Sequence, residues 1–494
     1  MENINSWQDI HWRSIERIVF HLQLRIFKAA KDQEYSKVYK LQKLLISSKS
    51  SKYLAVRKVT QTNVGKRSAE VDKQIIITPE TKFTLANKLT LDGKSLLIRK
   101  VYSEKSRRLA RSTIEDQAKQ VLVYLALCPQ WESQFEATSY GFRPGRSKLD
   151  AIENVFAGIS NKPKWILEAY ISKCFDEINQ KYLLDKCNTF PLLRKQICTW
   201  LKAGILEGKD FAFSDMRTDQ DENISSLLVN IALHGLRETL DMHIDKLGGH
   251  CSNNRKLLTY VRYANDFVLM YPDRKTLEQL KLIIQEFLLP IGLELHPIKT
   301  RIIHTLKFSK GFTFLGFDIL QKSKRVKITK HKTKPSFRTW IIPSKEEIAK
   351  HRKKIREIIR KYRGVSQERL IQILNPMIRE WALCKRSQMS SKIFQSLDTY
   401  IWIHLWKWAR KRHPKISNVK LKKIYWHKVK NQNWVFSVKK EEKIIMSLQL
   451  HSKIRIIRHK KVKGKSSPFD GNLIYWSTRT GKKLFYFTDK NLIN

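Results

Sequence analysis

Lys353, Lys354, Arg356, Arg360, Lys361 and Arg363 recur at i, i+3, i+4 and i+7 steps, with Ile355, Ile358, Ile359 and Tyr362 between them. On a helix this spacing buries the aliphatic residues and leaves the cations on one accessible stripe. Such a stripe could hold phosphate groups, or it could simply keep a helix soluble. Lys407, Arg410, Lys411 and Arg412 form a second cluster. They fall near an expected helix end, where the dipole favours cations, so a solvated last turn and a phosphate contact are both open. Other chemistry is poorly provided for. The six cysteines contain no CxxC pair, which argues against a zinc ribbon and a disulfide framework. His351, His404, His413 and His427 are not spaced with carboxylates as metal ligands are, and read as surface or core. Cys174 and Cys187 have no base nearby in sequence and read as buried. Trp402 and Trp406, like Ile401, Leu405 and Trp408, stand at helical spacing and read as core packing.

The chain of 494 residues carries 96 Lys and Arg against 45 Asp and Glu, a formal charge of +51. Residues 321–494 hold 46 basic and 10 acidic side chains, net +36, and eight of the 13 tryptophans. Like charges at this density repel unless a polyanion neutralises them, and aromatics among cations suit unpaired bases as well as cores. Nucleic acid is therefore the expected partner. In that region 32 Lys face 14 Arg, which favours contact with backbone and shape over dense reading of base edges. A hydrophobic share of 42% excludes a disordered basic tail. No apolar run approaches the ~20 residues of a membrane span, so no membrane partner is expected. The opening residues resemble neither a signal peptide nor a transit peptide. Cysteine usage fits a reducing compartment.

Near the N-terminus, Ile10, Ile15, Ile18, Leu22 and Ile26 give one helical stripe, and Val38, Leu41, Leu44 and Leu45 another. Short strands are expected at 75–78 and 96–101. An amphipathic helix is expected over 113–131, capped by Thr113, with Val121, Leu122, Leu125 and Leu127 inward. Residues 140–147, YGFRPGRS, form a loop. A buried strand spans 165–171, and a single apolar helix 227–240. Residues 257–271 read as strand, turn, strand, with Tyr263, Ala264, Asn265 and Asp266 at the tip. A helix over 277–287 precedes a hairpin pairing 311–319 with 326–328. Helices follow at 345–362, 366–381 and 389–412, then β-prone runs at 433–438 and 484–488.

These motifs together resemble the reverse transcriptases encoded within group II introns and fused to a maturase domain. The likeness covers residues 7 to about 470. It rests on Trp7 and Trp12 with LQLRI at 22–26, AVRKVT at 55–60, SYGFRPGRS at 139–147 and NIALHGL at 230–236. It continues with VRYANDFV at 261–268, Lys299-Thr300-Arg301 and FLGF at 314–317. Leu374-Asn375-Pro376, Trp381-Ala382, Leu397-Asp398, LWKWA at 405–409 and Arg412-His413-Pro414 resemble the maturase domain. The resemblance implies an α+β fold with right-hand-like fingers and palm, then a helical thumb and maturase domain. The implied divisions are an N-terminal helical extension at 1–80, fingers and palm at 81–330, thumb and maturase domain at 336–430, and a small basic region at 431–494. It also makes Arg143, Arg146, Lys299 and Arg301 candidate RNA contacts beside the two clusters above.

The departures from the family matter most. Its polymerases hold two Mg²⁺ ions ~3.5–4 Å apart on three aspartates, one ending a strand and two at a hairpin tip. Here Tyr170 and Asn265 stand at two of those positions, and only Asp266 remains. A phenol and an amide are uncharged at neutral pH, whereas Mg²⁺ demands hard anionic oxygens at ~2.1 Å. Glu168 lies ~7 Å back along the strand, and Asp176 lies beyond it. The family's Pro-Gln-Gly-Gly loop is replaced by Asp219-Gln220-Asp221-Glu222, and its fingers loop by residues 103–111. About two dozen residues without Cys or His follow Asp470, so no DNA endonuclease domain is expected. The reading is a degenerate member that binds structured intron RNA and assists splicing. No cofactor would be bound by the protein itself, and Mg²⁺ would serve the RNA. The alternatives are a residual RNA-templated polymerase and a structural protein of a plastid ribosome or transcript complex, as in euglenoid-type ribosomal operons. A chloroplast-encoded product is expected, with a bacterial cytoplasm as the alternative.

Overall fold

The structure is a computed structural model that describes residues 6–62, 78–95, 99–102, 108–111, 113–172, 177–203, 224–248, 250–306, 311–323, 337–441 and 443–481. The chain opens with helices α1 (Trp12–Lys31), α2 (Tyr35–Ser47), α3 (Lys49–Arg57) and α4 (Pro79–Lys88). Strands β1 (Arg99–Tyr102) and β2 (Arg108–Arg111) pair before α5 (Ile114–Glu132), α6 (Lys148–Ile159), β3 (Trp165–Tyr170), α7 (Gln180–Lys186) and α8 (Pro191–Lys202). Then come α9 (Ile224–Ala232), α10 (Leu236–Asp245), α11 (Cys251–Leu257), β4 (Thr259–Tyr263), β5 (Asp266–Tyr271), α12 (Arg274–Leu288) and β6 (Arg301–His304). The remainder is β7 (Phe312–Phe314), β8 (Phe317–Ser323), β9 (Phe337–Pro343), α13 (Lys345–Lys361), α14 (Gln367–Lys385), α15 (Ser391–Arg412) and α16 (Asn418–Tyr425). It closes with β10 (Trp426–Val429), β11 (Gln432–Lys440), β12 (Lys443–Ser447) and α17 (Leu473–Thr480).

Two compact units result, and they do not follow chain order. The first joins Met1–Ala151, Trp165–Ile302 and Val462–Asn494; the second joins Ile152–Lys164 to Ile303–Lys461. The basic region expected at 431–494 is thus not a separate body, because its described residues divide between the two.

A four-stranded sheet runs in the order β4-β5-β3-β6. Thr113 caps α5 as its sequence suggests, its hydroxyl accepting from the Asp116 N–H at 3.1 Å. The helix is not amphipathic, however: every residue from Val121 to Glu132 is buried. It is a central helix, and its polar residues survive burial by pairing. Lys119 meets Asp92 and Glu115, and Asp116 accepts from the Trp200 indole at 3.2 Å. The single helix expected over 227–240 is two. Gly235 adopts φ +94° between α9 and α10, a left-handed break that glycine takes at least cost. Leu44, placed inward by periodicity, is exposed.

In the second unit β7, β8 and β9 form an antiparallel sheet. The hairpin expected there closes within 312–323, since Phe314 faces Phe317; residues 326–328, 75–77 and 484–488 lie outside the described residues. Helices α13, α14 and α16 begin at Ser344, Ser366 and Ser417, each hydroxyl accepting from a first-turn N–H. Their core centres on Ile355, Ile359, Leu374, Ile378, Leu405 and Trp408. Beside it a buried polar chain links Asp398 to His451 Nδ1 at 2.9 Å and His451 Nε2 to His351 Nε2 at 2.9 Å. Trp381 stacks on His351 at 4.5 Å.

Candidate functional site

The β4–β5 hairpin turns through Ala264 and Asn265, with Ala264 at φ +57°. This two-residue turn sets the register: Asp266 sits opposite Tyr263 on β4 and opposite Tyr170 on β3. The Ile171 N–H donates to the Asn265 carbonyl at 3.0 Å. Period two places Glu168 on the same sheet face as Tyr170. Both positions are met by protein cations. Arg301 Nε donates to Glu168 Oε2 at 2.7 Å, and Lys299 Nζ lies 4.2 Å from the centre of the Tyr170 ring. Burial pushes the Asp266 carboxyl up to about 7, with Lys299 opposing and Glu168 adding to the rise. Burial also raises Glu168, against the pull of Arg301.

The donor set therefore consists of two carboxyls of raised pKa, Asp266 and the Arg301-bound Glu168, with a phenol and an amide, and an ammonium stands nearby. It does not fit a Mg²⁺ pair, which needs several ionised oxygens converging on each ion. Among the described residues no three His, Cys, Asp or Glu side chains could hold a metal ion. Asp176, Asp219–Glu222 and the fingers loop 103–107 lie outside the described residues.

A stability experiment follows from Asp266. Between about pH 4 and about pH 7 the folded state holds a proton there that the unfolded chain releases, so this stabilisation is present at low pH and lost as pH rises through about 7. Asp266→Asn should therefore stabilise the protein by about 2–4 kcal/mol at pH 8 and by little at pH 4. Denaturant melts of both proteins across that range check the sign; an equal effect at both pH values would contradict it.

Residues 139–146 brace this hairpin. The Tyr140 N–H donates to the Arg262 carbonyl at 2.9 Å, and the Arg262 N–H to the Thr138 carbonyl at 3.0 Å. Asn230 Nδ2 donates to the Gly141 carbonyl, and Arg262 Nη1 to Asn230 Oδ1, each at 2.9 Å. A Cβ on Gly141 would lie 2.3 Å from the Ala264 nitrogen, so the close approach of loop to hairpin requires glycine. Against the effect of burial, His234, Arg262 and the Gly235 N–H hold Glu136 at about 2. Sequence reasoning missed Arg262, Asn230, Glu136 and Glu132 as members of this brace, although Arg262 and Asn230 lie within the family-like motifs.

Arg143 and Arg146 are not available to RNA here. Each is 2% exposed. Arg143 grips Glu132 through Nε at 2.8 Å and Nη2 at 3.0 Å, and Nη1 donates to the carbonyls of Glu136 and Ser139. Arg146 donates to the carbonyls of Ala137, Gly464 and Ser466. Close by, Asp150 accepts two bonds from Arg479 Nη2 and one from the Val462 N–H. The loop's arginines tie protein to protein. Arg301, by contrast, is half exposed despite its bond to Glu168.

The other cations face outward. Lys353, Lys354, Arg356, Arg360, Lys361 and Arg363 are all exposed, while Ile355 and Ile359 are buried and Ile358 and Tyr362 are half-buried. Lys407, Arg410, Lys411 and Arg412 are exposed too. Two of these also close the end of α15: Arg410 donates to the Ile416 carbonyl at 2.5 Å, and Arg412 to the Val365 carbonyl at 2.6 Å.

Residues 7–89 match the N-terminal domain of reverse transcriptase, 98–319 the reverse transcriptase (RNA-dependent DNA polymerase), and 348–435 the group II intron maturase-specific domain. Maturase-like protein 1 of Euglena gracilis is 28% identical over 244 residues, covering 47% of this chain and 52% of the relative. The group II intron-encoded protein LtrA of Lactococcus lactis subsp. cremoris is 30% identical over 287 residues, covering 46% of each. Protein YkfC of Escherichia coli (strain K12) is 29% identical over 264 residues, covering 46% of this chain and 68% of the relative. The chain spans about half the length of the first two. With the polymerase-type hairpin in place and all three regions matched in order, this chain belongs to the group II intron-encoded reverse transcriptase and maturase family.

Proposed function

We propose that this protein is an RNA-binding maturase that assists the splicing of a group II intron by holding its RNA in the folded state, with polymerase chemistry given up at the β4–β5 hairpin and the end of β3 beside it. The observation that carries the reading is α13: within the maturase-specific region Ile355 and Ile359 are buried while Lys353, Lys354, Arg356, Arg360 and Lys361 stand exposed. Folding an intron brings phosphates together, and a surface of this charge replaces the diffuse counterions otherwise needed there. Chemistry then belongs to the RNA and its own Mg²⁺. The pairing of Lys299 with Tyr170, and of Arg301 with Glu168, supports the loss of polymerase activity. The Euglena gracilis relative and a composition rich in Lys and Ile support a chloroplast product; a bacterial cytoplasm is the alternative, and fractionation of the source cells decides.

The purified protein should extend no primer on an RNA template with Mg²⁺ or Mn²⁺. Asp266→Ala should leave intron binding and splicing support unchanged. A measurable polymerase activity that disappears in this variant would overturn the reading in favour of a residual polymerase. Co-purification with ribosomal subunits rather than intron RNA would favour a structural role.

A further inference from the structure

Trp434 is an anomaly of both backbone and burial. Strand β11 carries an extra residue opposite β10: His427 pairs with Val435 and Val429 with Gln432, so Asn433 and Trp434 together face one residue. At this bulge Trp434 takes φ +62°, a conformation that bulky side chains rarely adopt. Bulges re-aim side chains, and this one leaves a tryptophan 46% exposed. A core role would not require either feature.

Its neighbours complete a surface. Trp402 and Trp406, one turn apart on α15, stack at 5.4 Å with ring planes 15° apart. The Trp402 ring lies 6.3 Å from Trp434, and buried Trp426 lies beneath both members of the stacked pair. Trp402 and Trp406 are half-buried rather than enclosed. Lys422 Nζ sits 3.5 Å from the centre of the Trp434 ring. The sequence from 399 to 440 contains no Asp or Glu, and 407–440 contains 12 Lys and Arg. An aromatic surface carried on a segment rich in cations, with Lys422 against its outermost ring, is complementary to a flat ring carried on a phosphate chain.

We propose that Trp434, with Trp402 and Trp406, is a stacking site for an unpaired base of the bound RNA, and that Lys422 meets the adjoining phosphate. The proposal rests on RNA being the partner and adds which part of the RNA is held: a splayed, single-stranded nucleotide rather than a duplex. Stacking contributes affinity without releasing counterions, so it can be told apart from the charge contacts.

The test uses the full chain with a single-stranded RNA of about a dozen nucleotides carrying 2-aminopurine, a blunt duplex of the same length, and the intron. Trp434→Ala should weaken single-strand binding about tenfold, leave the log–log salt slope unchanged and leave duplex binding intact. Trp434→Phe should recover most of the loss. Quenching of 2-aminopurine by the wild type should vanish in Trp434→Ala, a readout that misfolding alone would not pair with normal duplex affinity. Equal losses for duplex and single strand, a flattened slope, or persistent quenching would overturn the site. So would a Trp434→Ala variant that turns a dimer into a monomer with RNA affinity unaltered, marking a protein interface. If the wild type binds the intron but Trp434→Ala changes nothing, only this site falls. If the wild type binds no RNA, the maturase reading falls with it.

Discussion

Reversing Lys353, Arg356 and Arg360 together to glutamate should weaken intron binding by about 3 kcal/mol or more, at least a hundredfold, while leaving the fold intact. All three side chains are exposed on α13 and the buried Ile355 and Ile359 are untouched, so the thermal melt should be nearly unchanged. Each phosphate that the variant no longer neutralises should flatten the log–log salt dependence by ~0.7–0.9. Raising Mg²⁺ should partly restore splicing, because diffuse cations can substitute for a screening surface. Affinity against salt and splicing against Mg²⁺, for wild type and variant, measure both effects. Unchanged affinity with a normal melt would remove α13 as an RNA surface and move the interface toward residues 407–412 or 420–430.

Arg143→Ala should destabilise the first unit by about 3–5 kcal/mol, the cost of stripping one partner from a buried ion pair. Both side chains of the pair are 1% exposed, so the Glu132 carboxylate would be left in a site it cannot hydrate, along with the carbonyls of Glu136 and Ser139. Arg143→Lys should rescue little, since an ammonium cannot reproduce the two-pronged grip on Glu132 or its reach to both carbonyls. Denaturant melts give the stability, and intron binding below the unfolding transition gives the salt slope. If stability held and the slope fell by about one unit, Arg143 would be a phosphate contact after all.

The contrast between these two arginine-rich segments shows what could be read from sequence. The stripe on α13 is a local pattern: cations and isoleucines alternate within four turns, and the helix displays them accordingly. The β4–β5 hairpin was legible for the same reason, since two strands flank a two-residue turn. Arg143 reads as basic and loop-borne, but its partner Glu132 sits on a helix whose burial on every side was hidden by its charged residues. Asp398 and His451, 53 residues apart, show no mutual signal along the chain. Gly235 interrupts an apolar run that otherwise looks continuous, so periodicity alone merged α9 with α10. Trp434 stands in a β-prone run, and nothing local announces the bulge that turns it outward.

The bonds of Arg146 have a consequence for the timing of synthesis. Its guanidinium is anchored to the Gly464 carbonyl, 318 residues downstream, and Asp150 waits as long for Val462 and Arg479. At ~5–20 residues per second a ribosome needs roughly 15–65 s to cover that distance. Until then both charged groups remain hydrated, and the loop that steadies the hairpin lacks its outer anchor. The first unit therefore begins to fold early yet finishes only after the second has been translated. A chain whose elongation stalls before residue 462 would carry a half-set brace, open to proteases and chaperones.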